Sequence, residues 1–429
     1  MKDEKRSREK RRHRRVRNQI FAYLILVVMI GLIVAAGYFG VKGIIHYVKN
    51  YNEKVNRVIE EAESSAAAEL EKEGSDMPII QEESMPVADN EGYLPDSVED
   101  PLDELIESLL NDMSTEDMVA GMFMVTPESI TGVGTVIKAG DSTKTAITEK
   151  PVGGIVYSAK NFQSAEQFTE MMTNTKGFSK YPIFAAVKAE CGENPGYGID
   201  ATAKASELTD EDSVRQAYGG IASKLADYGM NMNLAPVSET VSEDGDASLQ
   251  GRTFGSDAAV AAPLVNAAVQ SMQEAGVSAV LQKFPGTSAE AKTLEELKNG
   301  EFVIYDMAIK GGVDCIMVSH TKVNGVTGDD TPASLSAVMI QDVLRNTLGF
   351  NGVVITDALS DSAVTRSYSP AEAAVAAVQA GADMLLDPAD YQQAYDGILQ
   401  AVADGTITQE RIHESLYRIY RVKYKNALQ

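Results

Sequence analysis

The chain has 429 residues, room for a sizeable core and one or two domains, with an ordinary share of apolar residues and a net charge of −24. The charge is uneven: the first 17 residues carry ten Lys/Arg and three Asp/Glu, a net of +7, which leaves 28 Lys/Arg against 59 Asp/Glu, a net of −31, for the remainder. An acidic body repels phosphates and so argues against nucleic acid as a partner, and two cysteines, Cys191 and Cys315, are too few for a disulfide framework.

Behind the basic tail, residues 1–17, lies an uncharged apolar run, Asn18–Val41. At about 1.5 Å per residue it is long enough to cross a hydrocarbon layer of about 30 Å. The basic flank predicts a cytoplasmic N-terminus and an exported body. A signal peptide would have a shorter apolar core and a small-residue cleavage site, which "VAAGYFGVKG" matches poorly. The expectation is therefore an uncleaved, single-pass anchor in the cell membrane. In residues 42–100, Ile44, Val48, Tyr51, Val55, Val58 and Ala62 alternate spacings of four and three for under three heptads. That pattern predicts a solvated spacer helix, with weak self-association through 44–62 as the coiled-coil alternative. Residues 64–100 are rich in Glu, Asp, Ser and Pro and read as a disordered acidic linker.

From 101 to 429 the texture changes. Eight short apolar runs follow one another: 118–126, 153–158, 183–190, 230–237, 277–284, 315–320, 352–359 and 382–387. Most are followed by a helical stretch, such as "SAEQFTEMMTNTK" or "SPAEAAVAAVQAG". Apolar strands alternating with helices predict parallel strands covered by helices. Eight such units predict a (β/α)8 TIM-like barrel. An open doubly wound sheet is the runner-up. It would usually begin with a glycine-rich turn, and "TGVGTVI" has Ile137 at the third glycine position. The cysteines fall in or at the end of separate strands and read as small buried thiols, one bridge being the alternative.

In such a barrel the functional face lies at the C-terminal strand ends. Several runs end there in charged or polar residues: Glu190, Lys283, His320, Asp357 and Asp387. Asp357 ends an otherwise apolar strand, so it either faces a site or caps a helix beginning near Ala358. The four histidines are far apart in sequence, and neither a metal nor an organic cofactor is called for.

The motifs "GGIVYSAKNFQSAEQF", "APVSE", "GRTFGSD", "KFPG", "VDCIMVSH", "TPASLS", "VLRNTLGFNGVVITDAL" and "AVQAGADMLL", with the closing "ITQERIHESLYRIYRVKYK", resemble the N-terminal barrel domain of glycoside hydrolase family 3 in order and spacing. The chain is most similar to the single-domain β-N-acetylhexosaminidases that trim peptidoglycan fragments. The resemblance implies a retaining mechanism, in which a carboxylate forms a covalent glycosyl-enzyme and a second group protonates the leaving oxygen and then activates water. It places Asp357 as the nucleophile, Arg252 as a donor to sugar hydroxyls, and His320 in the lining of the site. It also marks departures. "QKFPGTS" puts Gln282, Lys283 and Thr287 where the family has lysine and two histidines, and no histidine lies between Lys283 and His320, where the acid/base is expected. "KAECG" puts Lys188 in place of a sugar-gripping aspartate, beside the matched Glu190, and the acid of A-P-V-x-D survives as Glu239. Glu290, Glu295, Glu296 and Glu301 could replace the missing histidine, although "AEAKTLEELKNGE" reads as an exposed helix. Lys188 and Lys283 add positive charge near Asp357 and turn the pocket toward an anionic ligand.

Two functions follow. One is a membrane-anchored, extracytoplasmic glycosidase acting on cell-wall or amino-sugar glycans. The other is a catalytically degenerate barrel that binds glycan or a protein partner without hydrolysis.

Overall fold

The computed structural model describes residues 100–427 apart from residue 243. The anchor expected at 18–41 and the self-association expected through 44–62 lie outside the described residues. Among the described residues no helix is long and apolar enough to cross a membrane. The described residues form one compact unit.

Each of the eight apolar runs contributes one strand. These are β1 (Phe123–Val125), β2 (Gly154–Val156), β3 (Phe184–Val187), β4 (Met232–Asn233), β5 (Ser278–Phe284), β6 (Cys315–Val318), β7 (Val353–Thr356) and β8 (Leu385–Leu386). They pair in parallel in chain order, and β8 returns to pair with β1. The last seam, β7 to β8, has one bridge, Ile355 to Met384. It is reinforced by the Thr356 N–H to the Met384 carbonyl at 3.0 Å and by the Asp383 and Met384 N–H groups to the Val354 carbonyl at 2.8 and 3.0 Å. The sheet thus curls round as a TIM-like barrel rather than lying open.

A first helix, α1 (Pro101–Asn111), precedes the barrel, and a helix follows every strand: α2 (Asp141–Glu149), α3 (Ala165–Phe178), α4 (Glu211–Asp227), α5 (Ala258–Glu274), α6 (Phe302–Lys310), α7 (Val338–Thr347, wound as a π-helix), α8 (Pro370–Ala380) and α9 (Tyr391–Ala403). Their ends are written in the sequence. Ser164 accepts the Gln167 N–H at 3.2 Å to start α3. Ser369 and Glu372 form a reciprocal capping box at α8, and Gly381, at φ 108°, ends it. The stretch "AEAKTLEELKNGE" departs from its reading as one exposed helix. Thr293 and Glu296 cap each other and begin a separate short helix, Leu294–Lys298. Glu301 is buried.

The closing helix α10 (Gln409–Ala427) packs across the N-terminal end of the barrel, where three buried charges sit: Asp314, paired with Lys425 at 2.9 Å, Asp383 and Lys423. Asp383, fully buried, accepts the Val354 N–H of β7 at 2.9 Å and pairs with Arg345 at 2.6 Å, Arg418 at 3.1 Å and Arg411 at 3.5 Å. Burial alone would raise its pKa, but the three guanidiniums hold it below the usual carboxylate range. Lys423 has no hydrogen-bond partner. Its Nζ lies 5.0 Å from the Phe184 ring centroid and 4.7 Å from that of Tyr420, and burial pushes its pKa down to about 7.

Two outcomes follow. Asp383→Asn leaves three buried or half-buried arginines short of a counter-charge, and chemical denaturation should show a loss of about 3–5 kcal/mol. For Lys423, the unfolded chain binds a proton that the folded chain does not between about pH 7 and pH 10.5, so this residue costs stability fully below pH 7 and not at all above 10.5. The cost, about 1.4 kcal/mol for each pH unit of displacement, exceeds the roughly 2 kcal/mol that desolvated cation–π contacts return. Lys423→Met should therefore raise the thermal midpoint at neutral pH, and the gain should shrink as the pH is raised; a loss at every pH would contradict this account.

Candidate active site

The C-terminal strand ends form a single charged rim. Asp357 follows β7, its N–H bonded to the Val318 carbonyl of β6 at 2.8 Å. It does not cap a helix at Ala358: Asp361 caps the next helical turn, which begins at Ser362. Instead its Oδ1 accepts the Ala358 N–H at 2.9 Å, and its Oδ2 faces the Lys283 ammonium at 3.5 Å. Both side chains are 28% exposed, so the pair opens to solvent.

Lys283 reaches Asp357 because β5 carries a bulge. Leu281 pairs with Ile316 but Phe284 with Val318, so β5 holds one residue more than β6 between the two pairings. Lys283 itself sits at φ 77°, a left-handed conformation that costs a non-glycine residue about 1–2 kcal/mol. Bulges of this kind re-aim side chains at functional rims. Gln282, in the same bulge, donates to the Leu234 carbonyl and to Glu190 at 3.2 Å.

Glu190, just beyond β3, is the hub of the opposite side. Arg252 grips it with two parallel bonds, Nε to Oε2 at 2.6 Å and Nη2 to Oε1 at 2.8 Å, and Lys188 lies 3.4 Å away. Burial would raise the Glu190 pKa, but Arg252 and Lys188 bring it below its ordinary value. Glu190 thus has three protein donors around it, Arg252, Lys188 and Gln282. Arg252 is neither a free fork nor tied only within its own loop, for besides Glu190 it donates to the Ser248 carbonyl at 2.9 Å. Three of its five N–H donors are thus engaged.

His320, beyond β6, is also committed. Its Nε2 donates to the Ala358 carbonyl at 2.9 Å, because a carbonyl can only accept, and its Nδ1 meets the Ser334 hydroxyl at 2.7 Å. It therefore fixes the peptide that follows Asp357. Ser334, which orients it, lies in "TPASLS" and carried no signal of its own.

The loop after β5 is pinned from both sides. Glu239, buried, accepts the Thr287 N–H at 2.7 Å and its hydroxyl at 2.6 Å. Glu301 accepts the Ser288 hydroxyl at 2.5 Å and pairs with Lys292. Glu295 bonds to Asn299, and Glu296 is taken up in its cap. Among the described residues no second carboxylate and no histidine is hydrogen-bonded or ion-paired to the Asp357 side chain. Asp387, beyond β8, accepts the Ser360 hydroxyl at 3.2 Å, and burial raises its pKa. Cys191 and Cys315 are free and buried, which pushes Cys191 up to about 11. No group of three or more His, Cys, Asp or Glu among the described residues could hold a metal ion.

Comparison with known proteins fits this arrangement. The profile of the glycosyl hydrolase family 3 N terminal domain matches residues 114–422. A beta-N-acetylglucosaminidase/beta-glucosidase of Cellulomonas fimi is 26% identical over 298 residues, which cover 63% of this chain and 52% of that protein. A beta-hexosaminidase of Hydrogenovibrio crunogenus is 27% identical over 266 residues, covering 57% of this chain and 73% of the other. The structure of a family 3 beta-N-acetylglucosaminidase from a Paenibacillus species superposes with a TM-score of 0.68 at 29% identity, covering 74% of this chain and 63% of that one. The chain thus spans about half the length of the Cellulomonas protein and under two thirds of the Paenibacillus one. With the barrel, its charged rim and this match in hand, the chain belongs to glycoside hydrolase family 3, whose N-terminal domain occupies residues 114–422.

Proposed function

We propose that the barrel is a retaining glycoside hydrolase, β-N-acetylhexosaminidase-like, that acts on cell-wall or amino-sugar glycans. One observation carries the reading. Asp357 stands at the open rim with one oxygen held by its own loop and the other unobstructed except for Lys283. His320 locks the adjoining peptide, so the carboxylate is preset for attack. Asp357 attacks the anomeric carbon, a bond forms to its oxygen, and the leaving group departs; water then cleaves the glycosyl-enzyme. Lys283 and the remaining Arg252 donors face the sugar hydroxyls. A built-in acid is not in place: Glu295, Glu296 and Glu301 are engaged elsewhere, His320 has both nitrogens occupied, and Glu290, exposed in the same loop, makes no bond to Asp357. Leaving groups that need no proton are accordingly the preferred substrates.

A second reading, a barrel that binds glycan without cleaving it, is favoured by the Lys283–Asp357 ion pair, which ties up the attacking group. The two separate on a nitrophenyl N-acetyl-β-glucosaminide, whose phenolate leaves unaided. Turnover should be measurable and should drop by about three orders of magnitude or more in Asp357→Asn. It should fall by about 10² to 10⁴ when the leaving group is an ordinary alcohol, the typical worth of general acid help. Sugar binding without turnover, unchanged in Asp357→Asn, would decide for the second reading.

The same proposal holds the barrel outside the cell on an uncleaved N-terminal anchor, supported by the uncharged run 18–41 and its basic flank. The full chain should stay with membranes through an alkaline carbonate wash, and external protease should reach the barrel in wall-stripped cells. A chain released by the wash, or a protected barrel, would contradict the anchor or its orientation.

A further inference from the structure

We propose that the rim selects a glycone carrying an anionic substituent, a carboxylate or a sulfate, and that Lys188 is the residue that reads it. The inference rests on the reading of this rim as a glycoside site and names its substrate class.

The first ground is charge. Lys188, Arg252 and Lys283 face only two carboxylates in direct ion pairs, Glu190 and Asp357. Two further carboxylates lie near them and are engaged elsewhere: Glu239 accepts from Thr287, and exposed Asp246 accepts the Ser248 N–H at 2.8 Å. Within the direct ion pairs the cations therefore outnumber the carboxylates by one, in a chain whose net charge is −24.

The second ground is that Lys188 is the underused member. Its partner, Glu190, is already gripped bidentately by Arg252 and touched by Gln282, and it lies 3.4 Å from Lys188 at a looser contact. Lys188 remains 48% exposed, while Arg252 and Lys283 are 29% and 28% exposed. Burial lowers its pKa; Glu190 opposes that, and the charges of Arg252 and Lys283 add to it. An incoming anion would relieve this crowding of positive charge.

The third ground is hydrogen-bond polarity. An ammonium offers three donors and no acceptor. It cannot take a proton from a sugar hydroxyl, as a carboxylate at that position would. A charged acceptor on the sugar turns its donors into charge-assisted bonds, about twice as strong as neutral ones.

The test compares nitrophenyl glycosides of N-acetylglucosamine, sulfated N-acetylglucosamine and glucuronic acid on the full chain. It is paired with calorimetric titration of the three free sugars, which requires no turnover. At least one acidic sugar should be favoured over the neutral one by about tenfold or more, in kcat/KM and in affinity. The arm that wins distinguishes sulfate from carboxylate. Lys188→Asp should reverse the acidic-to-neutral ratio, and Lys188→Met, which keeps the stem, should bring it close to one; matching thermal midpoints would show both variants folded. A neutral preference in the wild type, or a ratio that Lys188→Asp leaves unchanged, overturns the inference. Turnover of no glycoside, together with tight binding of an acidic sugar, would instead overturn the hydrolytic reading and leave this one standing.

Discussion

β7 and β8 meet through a single bridge, and the buried carboxylate of Asp383 supplies what the missing ladder bonds do not. It binds the Val354 N–H at the foot of β7 while its own N–H goes to the Val354 carbonyl, and three arginines from α7 and α10 neutralise it. A parallel barrel joined on seven sides but loose on the eighth would let β7 tilt. The residue at the far end of β7 is Asp357. A charge cluster at one end of the barrel thus governs where the carboxylate at the other end stands, through a strand of only four residues. The buried ions are costly, as Lys423 in the same layer is, but their geometry specifies one closed arrangement.

At the open end the charges are arranged to hold one another. Glu190 draws Arg252, Gln282 and Lys188 to one side of the rim, and Asp357 faces Lys283 on the other. The bulge in β5 joins the two groups, since consecutive residues, Gln282 and Lys283, serve opposite sides. Without the extra residue and the left-handed turn at Lys283, the strand's alternation would send that side chain elsewhere. A backbone irregularity is therefore what places a cation beside the carboxylate.

Much of the barrel could be read from the chain because burial leaves a one-dimensional record. A strand covered on both faces must be apolar along its length, and all eight such runs contain strands. Local hydrogen bonds are equally legible: Ser164 and Ser369 start helices where a cap is needed. What could not be read depends on partners distant in sequence. Arg252 and Glu190 are 62 positions apart, and nothing in the local sequence of either announces their pairing. His320 finds Ala358 across 38 positions and becomes a brace for the loop of Asp357. The break at Thr293 was local and in principle readable from the Thr-x-x-Glu capping pattern, but the helical composition around it masked that signal. The β5 bulge left no compositional trace.

The loop after β5 explains why the rim has the chemistry it has. Thr287 gives both its N–H and its hydroxyl to buried Glu239, and Ser288 gives its hydroxyl to buried Glu301. Each carboxylate keeps one oxygen without a partner, so neither is a strain-free match to its site, yet both hold the loop down. A loop fastened in this way holds its backbone down at Thr287 and Ser288 and leaves Glu290, among the described residues, as its exposed, unpartnered carboxylate. The same segment that lacks the family's histidines places Lys283 beside Asp357, and Lys188 stands where the family motif has a carboxylate. The missing histidines and the added cations thus fall in the same two segments, after β3 and from the end of β5 onward, and both changes raise the positive charge on the rim beside Asp357.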